Sequence, residues 1–136
     1  MEEIVIDTSV IEKMLIVSWA VPSDVLMRAA ESILWSSVNL ETPILDIGCG
    51  GGKISKLLFS QVNKIDVGID TNSNAIKIAK KSKLYKKTLV ADAAKLPFKK
   101  GSFSTVVSNS TFEHIKEDKK SVKEVARILK KEGEFM

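Results

Sequence analysis

A chain of 136 residues, 44% hydrophobic and 28% charged, has room for one folded domain and excludes a disordered, collagenous or disulfide-stapled protein. Its lone cysteine, Cys49, precludes an internal disulfide and suits a reducing compartment. The formal charge of +4 divides unevenly: residues 1–40 carry six acids against Lys13 and Arg28, and the remainder 19 basic against 11 acidic residues. The lysines gathered in "KIAKKSKLYKK" lack the interleaved aromatics of a nucleic-acid stacking platform and read as a solvated helix face, so no nucleic-acid partner is expected. The longest apolar stretch, Met14 to Val21, is broken by Ser18 and ends at Pro22, too short for a membrane span. Glu2 and Glu3 stand where a secretory signal would be basic, so a cytoplasmic protein is expected.

In chain order, "DTSVIEKMLIVSW" reads as a first helix, with Ser9 and Glu12 forming a capping box. "PSDVLMRAAESILWSSVNL" reads as a second. Ser23 is its N-cap, and Val25, Leu26, Ala29, Ala30, Ile33 and Leu34 form its apolar face. Residues 1–42 are therefore expected to form a helical cap, with 43–136 as the core of the same domain. "PILDIGCGGGKIS" follows. Ile44, Leu45 and Ile47 make a short buried strand, four glycines occupy positions 48 and 50–52, and Lys53 to Val62 has helical periodicity. Strand, glycine loop, helix is the first turn of a nucleotide-type α/β domain, where a ligand lies against the helix N-terminus. The dinucleotide fingerprint G-x-G-x-x-G fails, because its third glycine would fall at Lys53; this disfavours a nucleotide-dependent oxidoreductase.

"KIDVGID" alternates Ile65, Val67 and Ile69 and ends in Asp70, 22 residues past Gly48. An acid at about this distance accepts from both ribose hydroxyls of a bound nucleoside. A helix follows in "TNSNAIKIAKK". "TLVAD" gives a third strand, Thr88 to Ala91, with Asp92 after it, and Thr105 to Val107 a fourth. Ser108 and Asn109 sit at its C-terminal end, where open α/β sheets bind ligands. Lys119 to Lys131 reads as a last helix, with Val122, Val125, Ala126 and Leu129 on one face and Gly133 as its stop. "EFM" would begin a fifth strand.

Asp46, Gly48, Gly50 and Gly52 fit acidic-x-Gly-x-Gly-x-Gly, and "LDIGCGGG" resembles motif I of the class I S-adenosylmethionine (SAM)-dependent methyltransferases. "DAAKLPFKKGSF" resembles a segment of the methyltransferase type 11 family and its quinone-methylating relatives, and "TFEHI" resembles that family's "L-E-H" ending. Ser104 departs from the usual aspartate. The resemblance runs from Pro43 to about Phe135 and implies a Rossmann-like α/β fold, a mostly parallel twisted sheet with helices on both faces. It implies SAM as cofactor and methyl transfer to a small or lipid-like acceptor. Asp46, Gly48, Cys49, Gly50 and Gly52 would form the loop around it, with Cys49 a packing residue. Asp70 and Thr71 would hold the ribose. The Asp92 carboxylate and the Ala93 N–H would take the adenine, and the Asn109 segment the methionine end. His114, the only histidine, is the candidate base. No metal site is expected. Trp19 and Trp35 are candidates for lining the acceptor pocket.

The resemblance implies a seven-stranded sheet, of which this sequence is expected to supply four strands and the start of a fifth. An alternative is therefore an inactive or truncated SAM-binding module. An open edge around Thr105 to Val107 and Glu134 to Met136 predicts self-association.

Overall fold

The computed structural model describes residues 22–136. The first predicted helix, its Ser9–Glu12 capping box and Trp19 lie outside the described residues. In chain order the elements are α1 (Pro22–Ser36), β1 (Ile44–Ile47), α2 (Lys53–Leu58), β2 (Ile65–Asp70), α3 (Ser73–Lys81), β3 (Tyr85–Val90), β4 (Phe103–Val107), a 3-10 turn (Phe112–His114), α4 (Asp118–Ile128) and β5 (Leu129–Phe135).

The five strands form one sheet in the order β3-β2-β1-β4-β5, and every pairing is parallel. Leu45 aligns with Val67 on one side and Val106 on the other. A central parallel strand is covered on both faces, which is why all four residues of "ILDI" are buried, Asp46 included. Side chains alternate across a strand. Leu45 and Ile47 join Ile69, Phe103 and Val106 against Val125 and Ile128 of α4. Asp46 points to the opposite face and accepts from Ser55 of α2. Helices thus cover both faces, as expected of a Rossmann-like fold.

The described chain divides into two compact units. Residues 22–38 with Leu57–Gln61 make one, and Asn39–Lys56 with Val62–Met136 the other. In the first, Val25 and Ala29 of α1 are buried with Leu57 packed against them, and Trp35 meets Phe59 edge-on at 4.8 Å between ring centroids. The buried face of α1 is Val25, Ala29 and Ser32; Leu26 and Leu34, placed on it by periodicity, are 63% and 69% exposed. The helix begins at Pro22, so Ser23 lies inside it and is not its cap. Helix α2 stops at Leu58, four residues before Val62. The Gln61 amide turns back to donate to the Trp35 and Val38 carbonyls, at 2.7 and 3.1 Å, and so satisfies chain that leaves α1.

Strand β3 starts at Tyr85, three residues before the expected Thr88. It is a sheet edge, and its exposed Lys86 and Lys87 keep that edge solvated; Lys86 also pairs with Asp66 at 2.7 Å. The C-terminal end departs most from expectation. Helix α4 ends at Ile128 and passes directly into β5, so Lys130, Lys131 and Gly133 belong to a strand and not to a helix and its stop. Its inward positions are Ser121, Val125 and Ile128, while Val122 is 50% exposed and Ala126 is exposed. Phe103 pairs with Leu129 and Thr105 with Glu134, so three extra residues bulge from β5 between those rungs. Gly133 closes the bulge, because a Cβ there would lie 3.0 Å from the Ser104 carbonyl and 2.9 Å from Leu129 Cδ2. Among the described residues β4 is an interior strand between β1 and β5, and β5 is the last strand on that side.

Candidate functional site

The chain leaves β1 at Ile47 and turns at once. The N–H groups of Gly48 and Cys49 both donate to the Ile69 carbonyl, at 2.8 and 2.9 Å, which hooks the loop over the end of β2. Gly48, Gly50 and Gly52 all have positive φ, +75°, +51° and +81°. At Gly48 a second demand adds to this: a Cβ would fall 2.1 Å from Thr111 Oγ1. At Gly50 a Cβ would meet nothing within 4 Å, so only its backbone angle and the open space beside it call for glycine.

Beneath the loop lies a buried polar cluster. Asp46 is 2% exposed, and its Oδ2 accepts from Ser55 Oγ at 2.6 Å and from Tyr85 Oη at 2.7 Å. Burial outweighs both bonds and pushes the carboxyl up to about 6. Burial, with Asp46 close by, pushes the Tyr85 hydroxyl far above its ordinary range. Two glycines make room for the Tyr85 ring: a Cβ at Gly52 would lie 2.9 Å from Cε2, and one at Gly68 2.7 Å from Cδ1. Cys49 is buried beside Gly68, and desolvation, then the Asp46 and Asp70 carboxylates, push its thiol up to about 12. It stays protonated and acts as a packing group.

Above the loop the strand ends converge. Asp70 Oδ2 accepts from Gly50 N at 2.9 Å and Oδ1 from Asn72 N at 2.8 Å, while Asn72 caps α3 by accepting from Asn74 N and Ala75 N. Ala91 N donates to the Asp70 carbonyl at 3.1 Å, which joins the ends of β2 and β3. Asp92 is exposed; its Oδ1 accepts from Ala94 N at 2.8 Å and its carbonyl from Lys95 N at 3.0 Å. Ser108 Oγ donates to the Ile47 carbonyl at 3.1 Å, tying β4 to β1 at the point where the strand order reverses.

These ends surround a cavity of about 270 Å³, near the small end of ligand pockets. It gathers Gly48, Asp70, Thr71, Asp92, Ala93 and His114 of the residues singled out by sequence. Asp46, Cys49, Gly50, Gly52 and Asn109 are not in its lining: Asp46 lies under the loop, Cys49 turns its side chain toward Gly68, and Asn109 offers its carbonyl to Thr111 Oγ1 at 3.1 Å. Trp35 is not in the lining either. Sequence reasoning missed Ile47, Ile69, Ala91, Thr111, Ile115, Lys116 and Glu117. The last three adjoin His114 in one loop, and that adjacency was the available signal. Nothing local marks Thr111, whose importance comes from Gly48, 63 residues earlier. Among the described residues no group of three or more His, Cys, Asp or Glu is placed to hold a metal ion, and no helix is long and apolar enough to cross a membrane.

A parallel sheet in this order, a glycine loop after β1 and acids at the C-terminal ends of β2 and β3 define an α/β domain of the nucleoside-cofactor-binding type. The particular family follows from comparison: the model described as "Methyltransferase domain" matches residues 45–136, and the chain belongs to that family. It is 30% identical over 110 residues to demethylmenaquinone methyltransferase of Thermotoga maritima, a match covering 80% of this chain and 47% of that protein. It is 31% identical over 96 residues to the human mitochondrial protein named arginine-hydroxylase NDUFAF5, with 68% and 27% covered. The crystal structure of a SAM-dependent methyltransferase from Thermotoga maritima superposes with a TM-score of 0.68 at 26% identity, over 79% of this chain and 49% of that one. The chain spans less than half the length of these curated relatives.

Proposed function

We propose that this chain binds SAM in the cavity at the strand ends and transfers its methyl group to a small or lipid-like acceptor. The observation that carries the reading is the convergence of Gly48, Asp70, Thr71, Asp92 and Ala93 on one cavity. The residues present fit the group. Each Asp70 oxygen accepts one backbone N–H, and a carboxylate retains lone pairs for two ribose hydroxyls. Asp92 uses Oδ1 on Ala94, which leaves Oδ2 for an exocyclic amine, with the Ala93 N–H beside it for a ring nitrogen. Asp70, Asp92 and Glu117 against Lys116 give the lining an acidic balance that suits a cationic ligand.

When bound, SAM supplies a methyl group on a sulfonium centre. The chain's part is to hold and orient the two reactants. His114 lines the cavity and is the base for an acceptor whose hydroxyl or carbon needs a proton removed. The demethylmenaquinone relative favours a quinone-type acceptor. The reading includes a cytoplasmic location and pairing of a second copy of this chain along β5, for which light scattering at rising concentration should give a dimer mass.

Isothermal titration should show binding of SAM and S-adenosylhomocysteine and none of NAD, and a methyl-release assay with reduced naphthoquinones should show turnover. A folded protein that binds neither adenosyl ligand would overturn the reading. Binding without turnover on any acceptor would favour the inactive-module alternative.

A further inference from the structure

We infer that Glu124 and Arg127 of α4 are positioning residues for the Asp92–Ala93 segment, holding in place the loop that reads the adenine end of the cofactor. The inference rests on the SAM reading above. The loop is residues 91–102, between β3 and β4, and is without helix or strand. Its middle is fastened to α4 by one ion pair that meets both polar groups of Leu96. Glu124 Oε2 accepts from Leu96 N at 2.8 Å, and Arg127 Nη2 donates to the Leu96 carbonyl at 3.0 Å. Arg127 Nη1 donates to the Phe98 carbonyl at 2.7 Å, and Gly101 N donates to the Arg127 carbonyl at 3.1 Å. The pair is bidentate, Nε to Oε1 and Nη2 to Oε2, both at 2.7 Å. Lysine cannot reproduce this, because its ammonium is a point charge and the guanidinium a planar fork.

The connection from Leu96 to the cavity is short. Ala93 and Leu96 are buried in the same core cluster as Val125 and Ile128 of α4, and Ala93 also lines the cavity. Between them the chain closes one turn, with Lys95 N on the Asp92 carbonyl and Ala94 N on Asp92 Oδ1. Moving Leu96 therefore swings the Asp92 carboxylate. The pair is part-exposed and spaced i, i+3, a class that contributes little to stability. Its geometry sets where a segment without helix or strand sits, and this distinguishes the role from plain stabilisation.

The test uses the full chain with Arg127→Met, Arg127→Lys and Glu124→Gln, titrated with S-adenosylhomocysteine and S-inosylhomocysteine. The inosyl ligand lacks the amine that Asp92 would accept from. The wild type should prefer the adenosyl ligand. In the variants adenosyl affinity should fall about tenfold, as for a loop competent only about a tenth of the time, while inosyl affinity holds and the preference collapses. Arg127→Lys should not rescue it, and any fall in the thermal midpoint should leave the variants folded at the titration temperature. An unchanged preference in a folded variant, or equal losses for both ligands, overturns the inference. Amide hydrogen exchange at Leu96 gives a readout without any ligand: protection equal to wild type in Arg127→Met or Glu124→Gln overturns it as well. A wild type that binds neither ligand overturns the SAM reading instead, and the exchange result still decides whether the clamp orders the loop.

Discussion

Gly48→Ala is the sharpest available test of the loop geometry. The added Cβ would lie 2.1 Å from Thr111 Oγ1, 2.4 Å from Cγ2 and 2.7 Å from Cβ, at a backbone φ of +75°. Rotating Thr111 relieves the first two contacts but not the third, and threonine is stiff at χ1. The backbone at one of the two positions must shift. Overpacking of this kind costs about 1–3 kcal/mol, and a left-handed alanine adds about 1–2 kcal/mol. Gly48→Ala should therefore lose about 2–5 kcal/mol, a large share of a stability of about 5–15 kcal/mol. Urea unfolding followed by circular dichroism measures it. Thr111→Gly removes all three opposing atoms, so the double variant should recover about 1–3 kcal/mol of coupling in a mutant cycle. A loss within about 0.5 kcal/mol for Gly48→Ala, or strict additivity in the cycle, would refute the reasoning.

Asp46 predicts an unusual pH dependence. A carboxyl raised to about 6 stabilises the fold as pH falls through that value, so the urea midpoint should rise from pH 8 to pH 5 by about 1.4 kcal/mol equivalent. Asp46→Asn should flatten the profile and match or exceed wild type at pH 8. The carboxylates held below their ordinary values act with the opposite sign but only at lower pH: Asp66, which burial raises and Lys86 together with the backbone N–H groups more than offsets, and Glu124, bound by Arg127. Parallel profiles for wild type and variant would remove Asp46 as the source. Tyr85→Phe should cost about 1–3 kcal/mol at pH 7.5, because the buried carboxylate keeps only Ser55 as donor, and an unchanged urea midpoint would rule that out. Asp70→Ala should raise the SAM dissociation constant at least about tenfold and lower the thermal midpoint too, since Gly50 and Asn72 lose their acceptor. A folded variant with unchanged titration would take Asp70 out of the site.

The parts legible in the sequence were those whose cause is local. "ILDIG" shows its strand because a central parallel strand is mostly apolar, and Asp70 and Asp92 announce themselves by standing at or just past strand ends. The errors arose where a distant partner decides. "ILKKEG" has helical composition, yet β4 captures Leu129 by pairing with Phe103 and ends the helix at Ile128. "YKK" looks unlike a strand because β3 is an edge whose lysines face water, and only the Tyr85 ring reports the burial. The partners of Asp46 were equally hidden, since Ser55 and Tyr85 lie 9 and 39 residues away. The α4 clamp on the 91–102 loop likewise joins residues 28 to 31 positions apart.

The seating of Tyr85 between Gly52 and Gly68 restricts the order in which this part of the protein can change. Either glycine, replaced first, drives a methyl into a ring edge at 2.9 or 2.7 Å. Tyrosine, replaced first by a small residue, leaves a hole and a buried carboxylate short of one donor. Only after that loss is the closest contact at 52 and 68 relieved, and even then Ser82 Oγ and Cys49 Sγ stand 3.1 Å from a Cβ at 52 and 68, and position 52 still carries its positive φ. The three sites form a ratchet in sequence space. Lineages that keep the ring must keep both glycines, and lineages that lose it can refill the space in ways that make the return path steric suicide. Variation at these positions should therefore arrive in blocks, with Tyr85 the first to move.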